Sequence, residues 1–188
     1  MEPLDRPVRA DARRNVEVLL EAALVVFATS GVNAPMHDIA KRAGVGVGTL
    51  YRHFPKRADL IVAVFRHEVE ACADAAQTLA AEHEPGDALT QWIDRYIDLI
   101  ATKRLAAALN KDDPAYDGLP AYFEERLIPP LDGLLKAAAT AGHIRSDVSA
   151  RDLLRTIATL CAPTRSGDPM LARRMIDLVL DGLRAGSS

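Results

Sequence analysis

Tyr51, Arg52 and His53 stand in a row, just after Gly44, Gly46 and Gly48. A phenol, a guanidinium and an imidazole can donate to phosphate oxygens and to base edges. Glycines ahead of them let a backbone come close to another surface. Thr49 adds a hydroxyl, and Arg57 a second guanidinium. The chemistry on offer is recognition of a polyanion, not the making of bonds. No Gly-x-Ser-x-Gly elbow, P-loop or catalytic Cys/His context occurs. His37-Asp38 is one dipeptide with no second His/Asp pair at ligand spacing. Cys72 and Cys161 form no C-x-x-C and lie among apolar residues, as core thiols of a reducing compartment do. No catalytic residue, metal or cofactor is expected.

The elements that must position these groups are helical. The 188 residues are 49% hydrophobic, with Ala and Leu ahead of β-branched types and frequent Arg, Asp and Glu. Val16, Leu19, Leu20, Ala23, Val26 and Phe27 follow helical spacing, and Gly31 is the expected stop. Pro35 suits the first position of a short second helix, and Gly44 ends it. A third short helix covers about Val47 to Phe54. Pro55 breaks the chain, and a long fourth helix is expected from Lys56 to Leu79.

"EHEPGD" reads as a break, residues 87–109 as a fifth helix, and "NKDDPAYDGLP" as a loop. The next helical region is expected to be interrupted at Pro129-Pro130 and to stop at "AGHIRSD". Ser149 and Asp168 are expected N-caps of the last two helices, with Pro169 in the first turn of the last. The expectation is an all-α chain of about nine helices: a helix-turn-helix domain over 1–55, then a helical domain over 56–188.

Two short helices joined by a glycine turn form a helix-turn-helix. In "HDIAKRAGVGVGTLYRHF", Ile39, Ala43, Val45 and Leu50 can face inward, and Ala40 is small enough for close helix crossing. Gly46, Gly48, Thr49, Tyr51, Arg52 and His53 then fall on or near the outer face. Tyr51 packed on the first helix is the competing reading. Charge agrees in direction: residues 1–66 hold ten Lys and Arg against seven Asp and Glu, whereas residues 67–188 hold thirteen against nineteen.

These residues resemble the DNA-binding signature of the TetR/AcrR family of bacterial transcriptional regulators. The resemblance runs over about residues 12–62, on Phe27, Gly31, Ile39-Ala40, Gly44-Val45, Thr49-Leu50-Tyr51, His53-Phe54 and Leu60. "RYIDLIATKRLAAAL" is similar to the C-terminal domain of the SbtR-like branch. The resemblance implies that Gly48, Thr49 and Arg52 approach bases, and that Tyr51, His53 and Arg57 hold phosphates. It implies a cytoplasmic repressor that binds a palindromic operator of double-stranded DNA as a homodimer and is released by a small-molecule effector. Ala34-Pro35 departs from the pattern, because the family often has a Thr there.

The last two helices carry enough apolar residues, Leu153, Leu154, Ile157, Leu160, Ile176, Val179, Leu180 and Leu183, to form the dimer interface. Trp92, Tyr96, Ile100, Lys103, Tyr122 and Phe123 are the candidates to line an effector pocket. The aromatic residues fit a plain core equally well, and Lys103-Arg104 fit a solvated face. The N-terminal stretch has no apolar leader segment and no stretch reaches membrane-spanning length, so neither a secretory leader nor a membrane partner is expected. A second reading stays open: a helical effector-binding or scaffold protein without specific DNA recognition.

Overall fold

The computed structural model describes residues 6–107, 114–161 and 169–184, with side chains described for 14–100, 114–161 and 170–184. The described residues form eight α-helices and a 3-10 turn, without strands: α1 Arg6–Ser30, α2 Met36–Ala43, α3 Val47–His53, α4 Arg57–Glu82, α5 Pro85–Ala107, the turn Pro114–Tyr116, α6 Leu119–Thr140, α7 Ala150–Leu160 and α8 Pro169–Arg184. The all-α expectation, with a helix-turn-helix first, is met. No helix of the described residues is long and apolar enough to cross a membrane.

The chain divides into two compact units, Met1–His67 with Thr102–Asp117, and Glu68–Ala101 with Gly118–Ser188. In the first, α2 packs on α1 and α3 on α2. Leu19, Ala23, Ile39, Ala40, Leu50 and Leu60 have no exposed surface, which makes them the centre of this small core. The helix α1 begins at Arg6, ten residues before its apolar spacing starts. Its first turn tolerates Pro7, whose missing N–H is one that no helix uses.

Glycine ends three helices where a left-handed residue is needed. Gly31, Gly44 and Gly142 have φ of 77°, 69° and 75°. At Gly44 the amide of Val45 reaches back to the Ala40 carbonyl at 3.0 Å, and that of Gly44 to Lys41 at 3.2 Å. This pair of bonds turns the chain sharply and satisfies carbonyls that α2 leaves open. Pro35 stands one place earlier than its spacing suggests: it is the N-cap of α2, and Met36 is the first helical residue.

In the second unit, α6 packs with α7 and α7 with α8. The expected interruption at Pro129-Pro130 is absent; α6 is continuous through both prolines. Each proline removes one backbone bond, at about 3 kcal/mol in a helix interior. The burial of Leu127, Leu131, Leu134 and Leu135 on the same helix outweighs that loss. Ser149 caps α7 as expected, accepting from the Asp152 amide at 3.3 Å. Asp168 lies outside the described residues. The backbone of Arg145 donates to the Leu183 carbonyl at 2.9 Å, which ties the segment after α6 to the end of α8.

Trp92 is the largest fully buried side chain. Its indole Nε1 donates to the Cys72 carbonyl at 2.8 Å, and its ring stacks on Tyr96 at 5.9 Å. The Tyr96 hydroxyl donates to the Leu154 carbonyl at 3.2 Å. These bonds join α4, α5 and α7 within one core. Trp92→Ala is expected to lower the free energy of unfolding in urea by about 3–5 kcal/mol, through the cavity it leaves and the loss of the bond to the Cys72 carbonyl.

Candidate nucleic-acid interface

The helix α3 is seven residues long, with Gly46 as N-cap in extended conformation and no side chain capping it. It is anchored at Leu50, which is fully buried, and at Phe54, which is buried just past its end. At roughly 100° per residue, Gly48 and Arg52 then lie on the side opposite Leu50, with Thr49 and Tyr51 flanking them. Exposure follows this wheel: Gly48, Tyr51 and Arg52 are exposed, and Thr49 and His53 are half-buried. Tyr51 keeps 48% of its surface exposed. The structure thus brings Gly48, Thr49, Tyr51 and Arg52 to one outward stripe, with Gly46 at its start. His53 sits nearer the buried side, its ring 6.4 Å from that of Phe54.

The glycines of this stripe are not demanded by packing within the chain. A Cβ on Gly48 would meet no atom within 4 Å, and one on Gly46 only the Thr49 hydroxyl at 4.0 Å. Neither has a positive φ. Glycine inside a helix is less stable than alanine by about 0.5–1 kcal/mol. Gly46 is accounted for by its N-cap position, but Gly48 has no such local reason, and open space there suits close approach to another molecule.

Arg57 is placed differently. Its Nη1 donates to the carbonyls of Val32 at 2.8 Å and Ala34 at 2.5 Å, in the connection between α1 and α2. Val47, 40% exposed beside Gly46 and Gly48, is a surface group that spacing did not reveal. It stands three residues before Leu50, a spacing that argues for burial. Exposed Lys41, Arg42 and Lys56 add basic groups to the same unit. Their signal is the local excess of Lys and Arg.

Of the residues proposed for an effector pocket, Trp92, Tyr96, Ile100, Tyr122 and Phe123 belong to the second unit. Trp92, Tyr96, Ile100 and Phe123 are buried. Tyr122 is half-buried, and its hydroxyl bonds the Glu70 carboxylate, which also takes two bonds from Arg126 Nε at 2.9 and 3.0 Å. The Arg126 guanidinium, with help from Tyr122 and against partial burial, holds the Glu70 carboxyl below its ordinary range. Burial pushes the Cys72 thiol up to about 12 and the Tyr96 phenol above its usual value. Both therefore stay neutral at physiological pH. The side chain of Lys103 lies outside the described residues. Among the described residues, no group of three His, Cys, Asp or Glu is placed to hold a metal ion.

Comparison with known proteins agrees with this arrangement. Residues 19–64 match the family model of bacterial regulatory proteins of the tetR family, and residues 84–185 that of the SbtR-like transcriptional regulator C-terminal domain. The structure of a TetR transcriptional regulator from Streptomyces coelicolor is similar at 37% identity, over 90% of this chain and 98% of that one, with a TM-score of 0.73. A TetR regulatory protein from Mycobacterium vanbaalenii is similar at 36% identity, over 95% and 99%, with a TM-score of 0.69. An HTH-type transcriptional regulator of Staphylococcus aureus is 41% identical over 64 residues, 34% of this chain. The match spans 35% of that relative's length.

Gly48→Ala separates folding from recognition at this stripe. With open space at Cβ, the variant should fold with equal or higher stability, by up to about 1 kcal/mol in thermal unfolding. Its affinity for duplex DNA should fall, measured by fluorescence anisotropy. Unchanged affinity would remove Gly48 from the contact surface.

Proposed function

The chain belongs to the TetR family of bacterial transcriptional regulators, and from that premise we propose that it represses transcription as a homodimer on a palindromic operator and leaves it when a small molecule binds. It is a DNA-binding regulator with the helix-turn-helix of its family, not a helical scaffold without DNA recognition. Its fold and family are those of regulators, not of enzymes, and its proposed place is the cytoplasm.

The observation that carries the DNA-reading role is the two-sidedness of α3: Leu50 sealed in the core, and Arg52 and Gly48 open on the far side. Arg52 is the side chain suited to a bidentate bond with guanine in the major groove. Thr49 and Val47 offer a hydroxyl and a methyl contact, while Tyr51 and His53 would hold phosphates. So few base-reading groups imply that DNA shape carries part of the specificity.

Two recognition helices must be set about one DNA turn apart, roughly 34 Å, to read both half-sites. The helix α8 supports pairing of two copies. Met170, Met175 and Leu178 are exposed on it, Leu178 by 65%, while Ile176, Leu180 and Leu183 are buried. An apolar face of this kind is what a four-helix contact between two α7–α8 pairs would cover.

The effector is proposed to enter the second unit, with Trp92, Tyr96, Ile100, Tyr122 and Phe123 as its lining. A ligand reaching Trp92 must displace packed atoms. Tyr122, half-buried on Glu70, is the approachable member. Binding would weaken DNA by the same factor as DNA weakens binding, typically 1–3 kcal/mol.

Selection of duplexes from random DNA tests the whole proposal, and a palindrome is the expected product. On that duplex Arg52→Ala should cost about 1–3 kcal/mol and broaden the preference at one position of each half-site. An equal loss on scrambled DNA would make Arg52 a backbone contact instead. Leu178→Asp should convert a sedimenting dimer to a monomer with unchanged helicity and abolish tight operator binding. A wild type that sediments as a monomer at micromolar concentration would exclude the dimer.

A further inference from the structure

Arg57 is the first residue of α4, and the start of that helix is fixed: the Lys56 amide donates to Asp59 Oδ2 at 2.9 Å. From there the Arg57 side chain crosses to the connection between α1 and α2. Both hydrogens of Nη1 are used, one on the Val32 carbonyl and one on that of Ala34. Val32 and Ala34 are themselves buried, so this connection is packed and not a free loop. No hydroxyl caps the helix that follows, because its N-cap is Pro35. The three-residue turn of left-handed Gly44, Val45 and Gly46 joins α2 to α3. Whatever fixes the connection therefore fixes the entry of α2, and through it the stripe on α3.

We propose that Arg57 is a positioning residue for operator recognition: its guanidinium clasps the Val32 and Ala34 carbonyls and so holds α2 and α3 in the geometry that reads DNA, instead of contacting phosphate itself. The proposal rests on the DNA-binding role above. A direct phosphate contact releases counterions and steepens the salt dependence of binding. A clasp acts before binding, by preorganisation, and releases none. It distinguishes the operator from other DNA, because only the specific complex needs α3 seated in the groove.

The test compares wild type with Arg57→Met, which keeps the apolar stem and removes donors and charge. The probes are the duplex recovered by selection and a scrambled duplex of equal length, at a temperature where circular dichroism shows both proteins folded. Affinity for the selected duplex should fall about tenfold. Affinity for the scrambled duplex should hold, and so should the slope of log affinity against log salt. Amide exchange over residues 34–40 of the free protein should quicken. A slope smaller by about 1, with both duplexes weakened alike, would make Arg57 a phosphate contact and overturn the clasp.

Faster exchange with unchanged operator affinity would reduce Arg57 to a stabilising role and overturn it too. If Arg57→Met does not fold, Arg57→Gln takes its place. Its amide carries no charge and stops short of the two carbonyls, so the clasp expects faster exchange and an unchanged slope, and a phosphate contact expects a reduced slope. Should wild type select no duplex, the operator reading fails by itself. Amide exchange then still judges the clasp, and unchanged exchange in the variant refutes it.

Discussion

Helices of eight and seven residues do not persist alone in water. The cost of nucleation exceeds what two turns of hydrogen bonds return. The helices α2 and α3 are of this size, so the reading head exists only because Ile39, Ala40 and Leu50 are sealed in one core with Leu19 and Ala23 of α1. Every property of the outer stripe follows from that burial. With Leu50 fixed inward, the helical repeat leaves Gly48 and Arg52 no direction but outward. Ala40 matters for its smallness, since a larger side chain with no exposed surface would force α2 off its neighbours.

The turns turn this packing into a shape. Gly44 is left-handed and closes α2 with two backbone bonds, so α3 departs at a set angle. Gly31 closes α1 in the same way with one. Between them lies a connection whose part-buried carbonyls are met by a guanidinium from α4. Backbone carbonyls partly shielded from water gain from such partners, and a charged donor supplies strong ones. By contrast Gly48, inside α3 and with open space at its Cβ, has no internal demand for glycine. The two kinds of glycine look alike in a sequence, but only the first is required by the backbone of the fold itself.

The second unit is built on longer helices and a larger aromatic core. The bonds of Trp92 to Cys72 and of Tyr96 to Leu154 tie three helices through two buried polar groups, each with its partner. The cluster of Glu70, Tyr122 and Arg126 is wetter, so it contributes through geometry more than through Coulomb energy. Met170, Met175 and Leu178 leave apolar surface exposed on α8.

Much of this was legible in the chain. Helical periodicity, the glycines at 31 and 44, and Ser149 as a cap are local features, set by dihedral freedom and by side chains bonding their own backbone. So the helices, the turn between α2 and α3, and the outward Tyr51 and Arg52 could be read directly. The continuity of α6 through Pro129 and Pro130 could not, because propensity argues against it and only the burial of four leucines around the prolines decides the matter. The exposure of Val47 was hidden for a related reason: its spacing from Leu50 fits a buried face, and only the extent of its neighbours leaves it open. The place of Arg57 was the least accessible. A basic residue beside a polyanion-binding element suggests an outward charge. Its actual partners are carbonyls 25 and 23 residues earlier in the chain, and only the folded backbone brings them within reach.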